Sequence, residues 1–296
     1  MTPSTEEPDY QRRVTGAPAT HFLLGTGIEI VRELGLRMPP KYALFDFDGT
    51  LSLIREGWPE VMIPMMVRIL KETGTAETAD ELTKVVTRFV MELNGKQTIY
   101  QMIRLAEEIR RRGGQPVDPQ VYKQEYHDRL LARIDVRRAA LRSGATPAET
   151  MMVPGSVALL TELKSRGVEL YLASGTDERY VKEEVALLKL DVFFGPHVYG
   201  AVDDYKSFSK QMVIERILRE NKVDGDRFIG FGDGFVEIDN VKGVGGVAIA
   251  VASDEAQRSG RPDPWKRERL IGVGADIVVP DYRHHRELLD YLWTPR

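Results

Sequence analysis

The chain has 296 residues, 42% of them hydrophobic and 29% charged, an ordinary globular composition and long enough to bury a core without metal or disulfide staples. Its 41 basic and 45 acidic residues nearly balance, which leaves no electrostatic case for a nucleic-acid partner. The absence of cysteine excludes disulfides, thiolate zinc sites and a cysteine nucleophile, and fits a reducing compartment.

Residues 1–40 read as an N-terminal tail followed by a short helix. The tail, to about residue 18, is polar and rich in Thr, Pro and Glu, without the basic start and apolar run of a signal peptide. No stretch reaches the ~18–20 continuous apolar residues of a membrane span. The expected location is therefore the cytoplasm, with no membrane partner. Ile28, Ile30, Val31 and Leu34 suggest helical spacing, which Pro39-Pro40 stops. Tyr42-Ala43-Leu44-Phe45 then forms a compact apolar run that feeds Asp46-Phe47-Asp48-Gly49-Thr50, a buried strand opening into a loop.

Across residues 58–150 the texture is helical, with apolar periodicity broken near Gly74, Asn94-Gly95 and Gly113-Gly114, and it predicts a bundle of about four helices. After Pro154-Gly155, strands at Val168–Ala173, Phe228–Phe231, Val247–Val251 and Ile277–Val279 alternate with helices at 156–166, 178–188, 209–221 and 284–292. Alternation of this kind implies a parallel sheet wrapped by helices. The expected fold class is α/β: a doubly wound, Rossmann-like parallel-sheet core over 41–57 and 151–296, interrupted after its first strand by a helical bundle over 58–150.

Four short elements each follow, or should follow, a strand. The first holds two carboxylates, Asp46 and Asp48, with Gly49 letting the chain turn sharply. The second is Ser174-Gly175-Thr176, where a hydroxyl and backbone N–H groups can cradle a phosphoryl oxygen, although a helix N-cap explains the serine equally well. The third is a lysine before the helix that begins near Gln211, for which Lys206 and Lys210 both qualify. The fourth is Gly232-Asp233, followed by Glu237 and Asp239, oxygen donors suited to a hard cation. Standing alone, each has a bland reading as a surface turn, a cap or a solvated charge. Together, in this order, they do not.

This constellation resembles the four motifs of the haloacid dehalogenase superfamily over roughly residues 42–280, and the inserted bundle falls where that superfamily places its helical C1 cap. The arrangement is similar to the phosphoglycolate phosphatase and β-phosphoglucomutase branch. The resemblance implies that Asp46 is a nucleophile forming an aspartyl phosphate, and that Asp48 protonates the leaving group and then activates water. It further implies that Ser174, Gly175 and Lys210 bind the phosphoryl group, Lys210 being favoured over Lys206 by its distance from Asp233 and its place at a helix start. Mg²⁺ is the implied cofactor, held by Asp46, Asp48 and Asp233 with Glu237 or Asp239 in support. Position 237 departs from the usual Asp of the last motif, and the longer Glu either reaches the ion through water or contacts the lysine. An Asp at position 48 favours phosphate esters. The implied activity is hydrolysis of a small phosphorylated metabolite such as a sugar phosphate or phosphoglycolate, with phosphomutation of the β-phosphoglucomutase type as the alternative.

Substrate selection would fall to the cap. Arg55 and Trp58 follow the nucleophile loop, Trp58 also suiting an anchor for the first cap helix, while Asn94-Gly95-Lys96-Gln97-Thr98 is a polar loop between cap helices. Gly25-Thr26-Gly27 lacks the context of a dinucleotide fingerprint. The five histidines show no metal-ligand spacing and read as surface or capping residues, and Arg261 to Arg269 reads as a charged loop.

Overall fold

The computed structural model describes residues 9–16, 18–35, 38–222 and 224–294. Eight strands form one sheet: β1 (His21–Phe22), β2 (Glu29–Ile30), β3 (Tyr42–Phe45), β4 (Glu169–Asp177), β5 (Val198–Ala201), β6 (Phe228–Gly232), β7 (Val247–Val251) and β8 (Ile277–Val279), in the order β1-β2-β8-β7-β6-β3-β4-β5. From β8 to β5 every pairing is parallel, and β1 and β2 add an antiparallel edge. Side chains of β3 alternate between two apolar layers. Ala43 and Phe45 pack into one, where Phe45 stacks on Phe231 with ring centroids 4.4 Å apart, and Tyr42 and Leu44 pack into the other. Burial on both faces explains why β3 and β7 read as continuous apolar runs rather than alternating ones.

Four helices separate β3 from β4's own lead-in helix: α1 (Pro59–Lys71), α2 (Ala79–Glu92), α3 (Thr98–Arg111) and α4 (Pro119–Ser143). Local chemistry sets their ends. Thr78 and Glu81 close a capping box on α2, Asp118 caps α4 ahead of Pro119, and Gly144 ends α4 in the left-handed region at φ 74°. The segments leaving and re-entering the sheet run together: Leu53 N–H donates to Met151 O at 2.9 Å, and Val153 N–H to Leu51 O at 3.0 Å. The remaining helices are α5 (Ser156–Ser165), α6 (Glu178–Leu187), α7 (Asp191–Phe194), α8 (Lys210–Asn221), α9 (Phe235–Gly243), α10 (Pro264–Val273) and α11 (His285–Trp293).

Several sequence expectations are corrected. Residues 28–34 do not form a helix; Ile28 and Ile30 are buried because β2 pairs with β8, and buried Glu29 meets Arg267. Residues 261–269 are no charged loop, since Asp263 caps α10 and Pro264 begins it. The short strand β5 carries no expected period. Residues 1–8 of the expected loose tail lie outside the described residues, but Arg13 and Val14 donate backbone hydrogen bonds to Gly272 O, at 2.8 and 3.0 Å. Finally, His127 is neither surface nor capping: it is buried on α4. Among the described residues, no helix is long and apolar enough to cross a membrane.

Candidate active site

Because β3 has β4 on one side and β6 on the other, consecutive connections leave it in opposite directions, and a crevice opens at the carboxyl ends of the strands. Register makes those ends level. Phe45 lies beside both Leu172 and Phe231, so Asp46, Ser174 and Asp233, all just beyond these residues, emerge at one rim. They line one cleft together with Asp48, Gly175 and Lys210 from the core and Arg55, Trp58, Asn94, Lys96 and Tyr126 from the connecting segment and inserted helices.

Asp46 sits at the centre and is buried. Its Oδ1 accepts from Phe47 N–H at 2.8 Å and lies 3.0 Å from Lys210 Nζ. Burial raises its pKa, Lys210 works against that rise, and the charge of Asp233 adds to it. Lys210 is buried at the first turn of α8, which Ser209 caps, and it also pairs with Glu237. Of the two candidate lysines, Lys206 lies on a surface turn and stacks beside Tyr205 instead. Asp239 pairs with Arg13, away from the cleft.

Asp48 occupies the flank toward α6. Thr176 Oγ1 donates to its Oδ2 at 2.9 Å, and Arg55 Nε lies 3.7 Å from its Oδ1. That guanidinium is engaged elsewhere: Nε and Nη2 donate to the two carboxylate oxygens of wholly buried Glu184 at 3.0 and 2.9 Å. Burial first, then the charges of Glu184 and Asp46, outweigh Arg55 and the Thr176 hydrogen bond and push Asp48 up to about 7. Its Oδ1 is buried with no hydrogen-bond partner among the described residues. A carboxyl so placed can hold and release a proton near neutrality.

Asp233 occupies the opposite flank. Its N–H donates to Thr50 Oγ1 at 3.0 Å, and its Oδ2 lies 2.9 Å from Lys266 Nζ. Lys266 also donates to Glu255 Oε1 at 2.6 Å and Ser253 Oγ at 3.2 Å, while Ser253 Oγ donates to Gly49 O at 2.6 Å. Gly49 makes this approach possible: at φ 71°, a Cβ there would stand 2.2 Å from Asp233 Oδ2. Burial alone would lower the pKa of Lys266, but Asp233 and Glu255 more than offset it and raise it.

Ser174 is buried, and its Oγ accepts from Thr176 N–H at 3.1 Å, which leaves its own proton for another acceptor. It belongs to a strand that runs on to Asp177, not to a helix cap. The Asn94–Thr98 loop presses onto this end of β4: a Cβ on Gly175 would lie 3.0 Å from Lys96 O. Trp58 both precedes α1 and lines the cleft. Among the described residues no three histidine and acidic side chains converge into a closed cation cage. The donor chemistry nevertheless suits a hard cation that keeps several waters: crowded carboxylates, one raised in part by its neighbour's charge, at the end of a strand pair.

The residues sequence reasoning missed are Glu184, Ser253, Glu255 and Lys266. Asp263-Pro264 was a usable signal for the helix that delivers Lys266, and Ser253-Asp254-Glu255 follows an expected strand end.

Carboxylates and a buried lysine gathered at the switch point of a doubly wound sheet, beneath an inserted helical layer, define the class: a doubly wound α/β protein with a polar cleft at the carboxyl ends of its central strands. The chain belongs to the haloacid dehalogenase-like hydrolase family, whose profile matches residues 40–245. Solved structures share the fold at low identity. A predicted phosphatase from Clostridium acetobutylicum aligns with TM-score 0.55 at 19% identity, covering 86% of this chain and 100% of its own. A β-phosphoglucomutase from Clostridium difficile aligns with TM-score 0.56 at 13% identity, covering 86% and 97%. A predicted phosphoglycolate phosphatase from Haemophilus somnus gives 0.55 at 12%, covering 84% and 97%. No curated protein matches the chain in sequence.

Proposed function

We propose that the protein is a Mg²⁺-dependent phosphatase that hydrolyses a small phosphate monoester through an aspartyl phosphate on Asp46. One observation carries this reading: a buried carboxylate held 3.0 Å from a buried lysine, with a second carboxyl two residues on whose pKa is about 7.

In the first step an Asp46 oxygen attacks phosphorus, and the ester oxygen leaves with the proton of Asp48. In the second step Asp48, now ionised, takes a proton from water as that water attacks the phosphoenzyme, and phosphate departs. Lys210 and the Ser174 hydroxyl answer the charge on the transferring oxygens, and Glu237 aims the lysine. When bound, Mg²⁺ would offset the repulsion between the carboxylates and the incoming phosphate; Asp46, Asp233 and the backbone carbonyl of Asp48 are the residues that would hold it. We assign residues 58–150 as the cap and 41–57 with 151–296 as the core, the cap excluding water and contacting the leaving group.

A panel of phosphorylated metabolites scored by released phosphate tests the reading. Free phosphate from one or more of them is the expected result. Conversion of a hexose 1-phosphate to its 6-phosphate, without net phosphate release, would overturn hydrolysis in favour of phosphomutation.

A further inference from the structure

Three cations line the cleft among the described residues: Arg55, Lys210 and Lys96. Arg55 is taken by Glu184, and Lys210 by Asp46 and Glu237, all residues of the core. Lys96 is different. Its side chain is only 5% exposed, yet its ammonium pairs at 2.6 Å with Asp9, whose side chain is 83% exposed and which lies far outside the family-matched residues 40–245.

Asp9 is not there by chance of a loose tail. Tyr10 packs edge-on against Phe235 of α9 with ring centroids 5.6 Å apart, and the Arg269 guanidinium covers the Tyr10 ring at 4.0 Å. Arg12 pairs with Glu268 at 3.2 Å, and Arg13 pairs with Asp239. Gly272 has no side chain where one would press on Tyr10, a Cβ there lying 2.9 Å from the Tyr10 hydroxyl. Residues 9–14 thus cross α9 and α10 and deliver one carboxylate to the loop that faces Ser174-Gly175.

We infer that Asp9 is a specificity-determining residue that acts through Lys96: by neutralising this ammonium it sets the cleft to accept phosphate esters whose leaving group is an uncharged hydroxyl compound, and to disfavour those bearing a second anion. The inference rests on the proposed function and narrows its substrate class. Unpaired, the Lys96 ammonium would sit in a poorly solvated cleft, where attraction for a carboxylate or second phosphate is strong. With Asp9 in place, a second anion meets a neutral pair.

The test compares two esters of matched length, phosphoglycolate with its carboxylate and hydroxyethyl phosphate with its hydroxyl. Asp9→Asn is expected to raise the ratio of kcat/KM for the charged over the neutral ester by about tenfold, the size of one well-placed charge contact. Removing residues 2–14 gives the same shift, and adding Lys96→Met to Asp9→Asn cancels it, as a pair that acts as a unit requires. The same variants are titrated calorimetrically with the unreactive phosphonopropionate and hydroxypropyl phosphonate, which read discrimination without turnover. A ratio that stays within about twofold of wild type in Asp9→Asn, by kinetics or calorimetry, overturns the role of Asp9. Wild-type protein that releases phosphate from no ester overturns the phosphatase reading instead, and the phosphonate titration still decides for or against Asp9.

Discussion

The two flanks of Asp46 use the same side-chain type and treat it in opposite ways. Asp48 is buried, and a guanidinium 3.7 Å away that also pairs with Glu184 does not offset that burial, so its carboxyl keeps a proton to about 7. Asp233 is met by a whole ammonium at 2.9 Å, shared with Glu255. The difference separates a carboxyl suited to holding a proton near neutrality from one already paired with a cation. Side-chain type alone does not set this difference; burial and the neighbouring cations do.

The largest expected effect belongs to the residue both flanks share. Asp46→Asn should lower kcat by at least about 10³, because a carboxamide cannot accept the phosphoryl group. Retention of near wild-type turnover by a correctly folded variant would dismiss both flanks at once. Next come the flanking acids themselves. Asp48→Asn and Asp233→Asn should each cost about 10²-fold in kcat/KM, but only the second should recover as Mg²⁺ is raised. A metal titration of the two variants side by side checks this, and an equal response would abolish the contrast between flanks.

Smaller changes sharpen it. Lys266→Met should lower activity by about tenfold and move the Mg²⁺ concentration for half-maximal activity, since Asp233 and Glu255 lose their common partner. Thr176→Val should leave that metal requirement in place and act on pH. The Thr176 hydroxyl holds the Asp48 pKa down, so its loss raises that pKa further. Leaving-group protonation needs the protonated acid, and kcat/KM falls as pH rises through the Asp48 pKa; in Thr176→Val the fall comes at higher pH. An unmoved alkaline limb would remove Asp48 from the acid's role.

How much of this was legible depended on whether the signal was local. The Asp46 loop follows a four-residue apolar strand, and the inserted helices announce themselves by period and by breaks at Gly74 and Asn94-Gly95. Lys210 stands at a helix start behind a capping serine. Glu184, by contrast, looks like one more charge in a charged helix, and its partner is 129 residues away, so nothing near it in sequence marks it as buried. Lys266 hides the same way among Arg261, Arg267 and Arg269, although Asp263-Pro264 opens its helix. The strand at Glu29–Ile30 is two residues long, too short to show a period, and exists because β8 offers it an edge.

The smallest predicted effect concerns what holds the inserted helices against the Asp48 flank. Asp177, at the end of β4, receives Lys123 of α4 at 2.5 Å, with His127 Nδ1 3.6 Å away. Lys123, the nearer cation, pairs with the carboxylate, and burial, then Arg55, then Lys123 push the His127 pKa down to about 3, so the imidazole is neutral despite its acidic neighbour. A histidine whose folded pKa lies below its unfolded value of ~6.5 takes up protons on unfolding between those limits, and its contribution is full above ~6.5 and is lost as pH falls toward 3. Wild-type protein should therefore lose on the order of 1–2 kcal/mol through this group between about pH 7 and 4.5, after allowance for its partial screening. His127→Gln, which cannot titrate, should show a flatter decline, whatever its stability at neutral pH. Urea unfolding at the two pH values measures the slopes. Parallel slopes would mean that the imidazole gains its proton inside the folded protein, and that the contact between α4 and the end of β4 is looser than the buried, lysine-paired Asp177 implies.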